Sequence, residues 1–170
     1  MENFISLCRS RRSIRKYTDQ PVPKEAVETI LKCGLMSPSS KRLNPWEFVV
    51  LTDKEKIRSL ASCKTYGSQM LLEAPLAIVV AVDKDATDTW QCDGAIAAQN
   101  MLLAAEDLGL GACWCQVYQR EDSEEIVRKA TNIPEKYAVL CIVSVGYKNE
   151  ERKQYDESKL LYDKIHYEQW

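Results

Sequence analysis

Residues 93–114 read Asp93-Gly-Ala-Ile-Ala-Ala-Gln-Asn-Met-Leu-Leu-Ala-Ala-Glu-Asp-Leu-Gly-Leu-Gly-Ala-Cys-Trp114. Between Ala95 and Ala105 only Gln99 and Asn100 are polar, so a helix here is apolar on nearly every side. Such a helix belongs at the centre of a domain or in a subunit interface, not on a surface. Its start is expected at Thr87 or Asp88 and its end near Leu108. Gly109 and Gly111 follow, supplying the left-handed residue that commonly closes a helix. The segment 112–118 then reads as a strand.

Outward from this helix, the flanking segments alternate in type. Residues 75–82 are apolar throughout and read as a central strand. Residues 46–51 and 138–147 make two more. Val27, Ile30, Leu31 and Leu35 place an amphipathic helix at 24–35, and Ile57 and Leu60 a shorter one at 53–62. Asp122 and Glu125 look like a capping box opening a helix over 123–131. Phe4, Ile5 and Cys8 give a first helix at 2–10. The order lacks strict βαβ alternation, so the expectation is α+β, with residues 1–170 forming one domain. From 148 to 170 the chain is charged but carries Leu160, Leu161, Ile165 and Trp170. That tail has too few apolar residues to pack alone and must lie along another surface.

Composition narrows the function classes. The 170 residues carry a formal net charge of −2, with 45% hydrophobic and 28% charged residues. A nearly neutral chain has no global attraction for nucleic acid or an anionic membrane, so any anion site must be a local cluster. No apolar run approaches the ~20 residues of a membrane-spanning helix. The first residues show no signal-peptide pattern, and seven scattered cysteines, an odd number, suit reduced thiols and a cytoplasmic location. Cys113 and Cys115 lie two apart on an expected strand, so both thiols face one side and pack there; no further Cys or His pair completes a metal site.

Two places can carry chemistry. In Arg11-Arg12-Ser13-Ile14-Arg15-Lys16, an extended chain aims alternate side chains the same way, and paired guanidinium groups with a hydroxyl suit a phosphate. On charge alone a solvated basic patch fits equally well. The proline-bounded loop Pro38-Ser-Ser-Lys-Arg-Leu-Asn-Pro45 can present amides and hydroxyls to a planar ring, or be an ordinary surface loop. His166 is the single histidine and offers no Ser-His-Asp or Cys-His arrangement. Gly109-Leu-Gly111 ends a helix, whereas a dinucleotide-binding glycine motif opens one.

Five segments, in order and spanning nearly the whole chain, resemble the nitroreductase family. They are Arg11–Tyr17, the Pro38-Ser-Ser to Pro45-Trp-Glu-Phe-Val-Val50 pattern, Glu73–Val80, the Asp93–Trp114 helix and glycine turn, and the ending His166-Tyr-Glu-Gln-Trp170. The resemblance implies a nitroreductase-like fold: a mostly antiparallel sheet of four to five strands flanked by helices, with the C-terminal tail reaching onto a partner subunit. It also implies a homodimer with FMN in clefts at the subunit interface. Arg11, Arg12, Ser13 and Arg15 would hold the flavin phosphate and part of the ring edge. Pro38, Ser39 and Ser40 of the other subunit would cover the dimethylbenzene side, with Arg42 beside them. Gln69 would contact the pyrimidine edge, and backbone groups of Trp114, Cys115 and Gln116 the central ring. Lys159 is the first choice for a second phosphate cation, with Arg152 and Lys153 as competitors.

This sequence departs from the family pattern at Arg42 and Asn44, where Asn and Gln are usual, and lacks a clean Lys-x-Arg in the tail. The implied activity is ping-pong hydride transfer from NADH or NADPH to nitroaromatics, quinones or similar electron-poor acceptors. The chemistry would be carried by FMN, with no catalytic side chain required. Relatives that destroy flavin or remove halide, and a flavin-holding sensor without turnover, are alternatives on the same scaffold. An RNA-binding domain is disfavoured by the absence of paired aromatic and basic clusters.

Overall fold

The computed structural model describes residues 4–170, with Glu121 described by its backbone alone. Its elements are α1 (Phe4–Ser10), α2 (Lys24–Leu35), β1 (Trp46–Leu51), α3 (Lys54–Ser59), β2 (Leu76–Asp83), α4 (Trp90–Asp107), β3 (Gly111–Gln116), α5 (Glu121–Thr131) and β4 (Tyr137–Gly146). Short 3-10 turns stand at Ser40–Arg42, Leu60–Cys63, Gln69–Leu72, Glu157–Lys159 and Tyr162–Lys164. The strands form one antiparallel sheet in the order β1-β2-β4-β3. The α+β expectation and the four-stranded lower bound hold. The expected first helix began at residue 2, and that start lies outside the described residues.

The sheet is sandwiched between two apolar layers. Ala77, Val79 and Ala81 of β2, with Ile142 of β4, face Ile57, Leu60, Val127 and Ile133 on one side. Ile78, Val80 and Val82, with Leu140 and Val143, face Ile30 of α2 and Met101, Leu102 and Ala105 of α4 on the other. Covered on both faces, β2 and β4 need apolar residues at successive positions, which is why neither shows alternation. Cys113 and Cys115 point into the first layer and Trp114 into the second. The two-residue spacing of the thiols is therefore the pleat of a strand.

Local starts and stops differ from the expectations in three places. Helix α4 begins at Trp90, two or three residues later than expected, because Thr87 Oγ1 accepts from Thr89 N–H and holds the preceding residues in a turn. The capping box at 122–125 does not form, since α5 starts at Glu121 and Asp122 falls inside its first turn. Ser123 instead donates to the Cys63 carbonyl at 2.5 Å. Strand β3 stops at Gln116, where Val117 N–H and Tyr118 N–H both turn to the Leu140 carbonyl.

What positions the basic stretch is a clip along the outer edge of β3. Ile14 N–H donates to Ala112 O at 3.0 Å, and Ser13 and Ala112 form a parallel bridge. On its other side, Tyr17 bridges Lys148, with Thr18 N–H on Tyr147 O and Asn149 N–H on Lys16 O, each at 3.0 Å. Tyr17 is buried and its hydroxyl donates to Ile14 O at 2.6 Å, with Ser144 Oγ 2.8 Å away. Burial pushes that phenol well above its ordinary pKa, so it stays a neutral donor. Gly111 lets Ile14 seat: a Cβ there would stand 2.7 Å from Ile14 Cβ, closer than packed atoms approach. Gly111→Ala should therefore destabilise the fold by about 1–3 kcal/mol, read as a lower urea midpoint with an unchanged slope.

Candidate functional site

The clip leaves the outer edge of β3 open beyond Ala112. The Ala112 carbonyl faces away from β4, because it accepts from Ile14. Peptide orientation alternates along a strand, so the backbone groups of Trp114 and Gln116 face the same free edge, and those of Cys115 face β4. Of the three backbone positions expected to line a ring, two present N–H donors outward. The side chains are otherwise engaged: Trp114 Nε1 donates to Gln116 Oε1 at 2.9 Å, and Gln116 Nε2 donates to Tyr118 O at 3.1 Å.

Beside this edge the clip presents the arginines, which separate into different roles. Arg15 is exposed and lines a cavity of about 420 Å³ with Lys16, Gln69, Glu150 and Arg152. Arg11 and Arg15 lie close enough to Cys113 to oppose the upward push of burial on its thiol. Ser13 lies beside that thiol and opposes the same push. Arg12 turns to the tail, donating to Lys153 O at 3.1 Å and stacking over the Tyr155 ring at 4.4 Å. It holds residues 153–155 against the body, and its guanidinium face is spent on Tyr155.

Among the three tail cations, Arg152 shares the cavity with Arg15, whereas Lys153 contributes its carbonyl to Arg12. Lys159 stands exposed in the turn Glu157–Lys159, where no side-chain hydrogen bond or ion pair engages it among the described residues. Gln69 reaches the cavity, but its amide is used locally. Its Oε1 accepts from Gly67 N–H at 2.8 Å and its Nε2 donates to Thr65 O at 2.8 Å, closing the 65–69 loop.

Glu150 was not among the residues singled out from the sequence, yet it organises this corner. Its Oε1 accepts from Arg15 N–H at 2.5 Å and Lys16 N–H at 3.3 Å, while Oε2 pairs with Arg152 at 2.7 Å. Nothing marks it within the charged run 148–153; only the folded chain brings it to residue 15.

The loop 38–45 stands elsewhere in the protomer, against α4. Ser40 N–H donates to Asp93 Oδ1 at 2.9 Å, and Asn100 Nδ2 donates to Ser37 Oγ at 2.7 Å. Ser39 Oγ donates to Asn44 Oδ1 at 2.8 Å and accepts from Asn44 N–H at 2.9 Å. Lys41, Arg42 and Asn44 all have positive φ, at 52°, 59° and 46°. Asparagine tolerates that region, but Lys and Arg adopt it at a cost, so the Ser39–Asn44 clasp holds a strained turn. Arg42 is exposed. Within one protomer, no hydrogen bond, ion pair or shared cavity among the described residues joins Pro38, Ser39, Ser40 or Arg42 to Arg11–Arg15. The loop and the basic stretch therefore lie apart within one chain.

Comparison with known proteins agrees with this architecture. The family model described as the nitroreductase family matches residues 8–64 and 59–147. The chain belongs to the nitroreductase family. A solved FMN-dependent nitroreductase from Clostridium difficile R20291 is 45% identical, with a TM-score of 0.95 over 98% of this chain and 99% of that one. A protein of Archaeoglobus fulgidus, provisionally named an NADH dehydrogenase/NAD(P)H nitroreductase, is 38% identical over the full length of both chains. The NADPH-flavin oxidoreductase of Vibrio harveyi is 32% identical across 88% of this chain and 68% of its own.

The clamp at Glu150 carries a pH signature. Burial works against its ionisation, but the Arg15 and Lys16 N–H donors and the Arg152 guanidinium outweigh it and hold the carboxyl below its ordinary range. A depressed folded pKa stabilises fully above the unfolded value of about 4.3 and loses that contribution as pH falls through the lower folded value. The stability gap between the wild type and Glu150→Gln should be widest near neutrality and close on acidification. Urea titrations at several pH values read this directly.

Proposed function

We propose that this nitroreductase-family chain binds FMN and works as a homodimeric NAD(P)H-dependent oxidoreductase. Two observations carry the reading together: Arg15 and Arg152 line one cavity, and the strand edge clipped by the same strap presents the outward N–H groups of Trp114 and Gln116. A dianionic phosphate suits two guanidinium groups, and the rim of an isoalloxazine suits a row of backbone donors. The donor set fits FMN in this chemical sense. Arg11 and Ser13 complete the cationic side.

FMN supplies hydride acceptance and donation; the protein supplies orientation, charge and exclusion of water. The β3 edge fixes the ring by rigid backbone, which moves less than side chains. Its N–H donors favour electron density on the ring atoms they meet. Arg15 and Arg152 would hold the phosphate, and Glu150 fixes the Arg152 guanidinium and the Arg15 backbone from behind. No described side chain near this edge need transfer a proton. A nicotinamide and an electron-poor acceptor, such as a nitroaromatic or quinone, use the same open face in turn, which is ping-pong order. No helix among the described residues is long and apolar enough to cross a membrane, and a cytoplasmic setting suits the free cysteines.

Dimerisation is supported by what the protomer leaves uncovered. Leu161, Tyr162, Ile165 and Trp170 of the tail are 61%, 60%, 52% and 102% exposed, so that stretch is left largely uncovered by its own chain. A second copy supplies both an apolar surface for the tail and the missing half-site, the 38–45 loop.

The purified protein should be yellow, bleach with NADH or NADPH and recover with a nitrofuran or quinone; a preparation that stays colourless after incubation with excess FMN and dialysis rejects the proposal. Arg15→Ala should weaken FMN binding by about 1.5–3 kcal/mol, while Arg12→Ala, whose guanidinium faces Tyr155, should weaken it less. Fluorescence titration of the apoprotein ranks the two. Truncation after Tyr155 should abolish the dimer in sedimentation while leaving the far-ultraviolet circular dichroism unchanged; a truncated dimer of undiminished affinity would show that the tail does not hold the partner.

A further inference from the structure

The carboxylate of Asp93 is the least satisfied polar group in the interior. Asp93 is 3% exposed, in the first turn of α4. Its Oδ1 accepts from Ser40 N–H at 2.9 Å, but its Oδ2 is buried without a hydrogen-bond partner among the described residues. Partial positive charge at the helix start helps the ion, yet an unpaired buried carboxylate oxygen is costly. A costly group that persists in a core is commonly completed in another state of the molecule.

The neighbouring turn contains the donor. Arg42 N–H bonds Ser39 O, Leu43 N–H bonds Ser40 O and Asn44 N–H bonds Ser39 Oγ, whereas Lys41 N–H has no acceptor among the described residues. Lys41 follows Ser40 directly and is held at φ 52°, ψ 17°, outside the helical region of the turn it occupies. A flip of the Ser40–Lys41 peptide, which changes Ser40 ψ and Lys41 φ together, would bring Lys41 φ to an ordinary value and turn its N–H to the side of the Ser40 N–H, as in the first turn of a helix. A carboxylate at such a turn can take both donors, one on each oxygen.

We propose that Asp93 is a positioning residue for the flavin-covering loop, and that its second oxygen receives Lys41 N–H when the loop closes on bound FMN. The proposal rests on the flavin reading above. Asp93 does not touch the ring; it stores an unmade hydrogen bond that forms only in the closed loop and so favours the bound state. The movement needed is a rotation of the Ser40–Lys41 peptide, and the strain at Lys41 is released in the same step.

Asp93→Asn separates this from a purely structural role. The variant keeps the Oδ1 acceptor for Ser40 but places an NH2 group where Oδ2 was, so it cannot accept from Lys41. The apoprotein of Asp93→Asn should melt at the wild-type temperature or above, because an unpaired buried charge has been removed. Its FMN dissociation constant should rise roughly tenfold, about 1.4 kcal/mol. Equal destabilisation of apo and FMN-bound forms, or unchanged FMN affinity, overturns the proposal.

An amide NMR titration gives a second reading on the wild type, independent of whether the variant folds. The Lys41 amide proton should move downfield when FMN is added, as a new bond to a carboxylate requires, and an unmoved or upfield-shifted signal overturns the proposal. Wild-type protein that takes up no FMN in the same titration rejects the flavin reading itself. Wild-type FMN binding with a silent Lys41 amide rejects only the role of Asp93.

Discussion

Ile14 N–H on the Ala112 carbonyl is the contact on which the arrangement of the site depends. It lays the basic stretch along β3, and with Tyr17 and Lys148 behind, residues 13–17 become a strap between an edge strand and the chain leaving β4. Buried Ile14 under the strap and the Tyr17 hydroxyl bound to Ile14 and Ser144 fix its height and twist. A basic peptide of this kind would otherwise be solvated, since its charges gain little from mutual proximity. Here each cation points where the strap sends it, and each has a different task.

The strap also explains why the sheet is open where it is. An edge strand exposes donors and acceptors that invite further pairing. In β3 the strap covers Ala112 only, leaving Trp114 and Gln116 presented along the edge. Glu150 joins the strap to the tail through the backbone N–H groups of Arg15 and Lys16 and the guanidinium of Arg152, so strap and tail are mechanically one unit.

The loop at residues 38–45 is held in a different way. The Ser39–Asn44 clasp and the Ser40–Asp93 bond hold a turn with two basic residues at positive φ, a conformation an isolated loop would leave. A strained loop supported from one side, facing away from its own protomer's arginines, is suited to meeting something brought by another molecule. The uncovered tail has the same character: its apolar side chains are meaningful only against a surface outside the chain.

The sequence by itself determined the buried elements. An apolar helix around Met101, two unbroken apolar runs at residues 76–82 and 138–143 and the amphipathic pattern of α2 are legible because burial on one or both faces dictates residue type at each position. The basic stretch and the serine loop were legible as motifs for the same reason that their chemistry is concentrated in few residues. What only the tertiary structure decided is which of several equivalent charges does what. Arg12 and Arg15 are the same side chain three positions apart, yet one grips Tyr155 and the other lines the cavity. Lys159 was the first choice among the tail cations from sequence, yet Arg152 is the one that shares a cavity with Arg15, and Glu150 was one acid in a charged run. Hydrophobic patterning repeats locally along the chain, whereas pairing between residues 15 and 150, or 40 and 93, is set by how the sheet stacks its helices. Periodicity carries no record of contacts that distant.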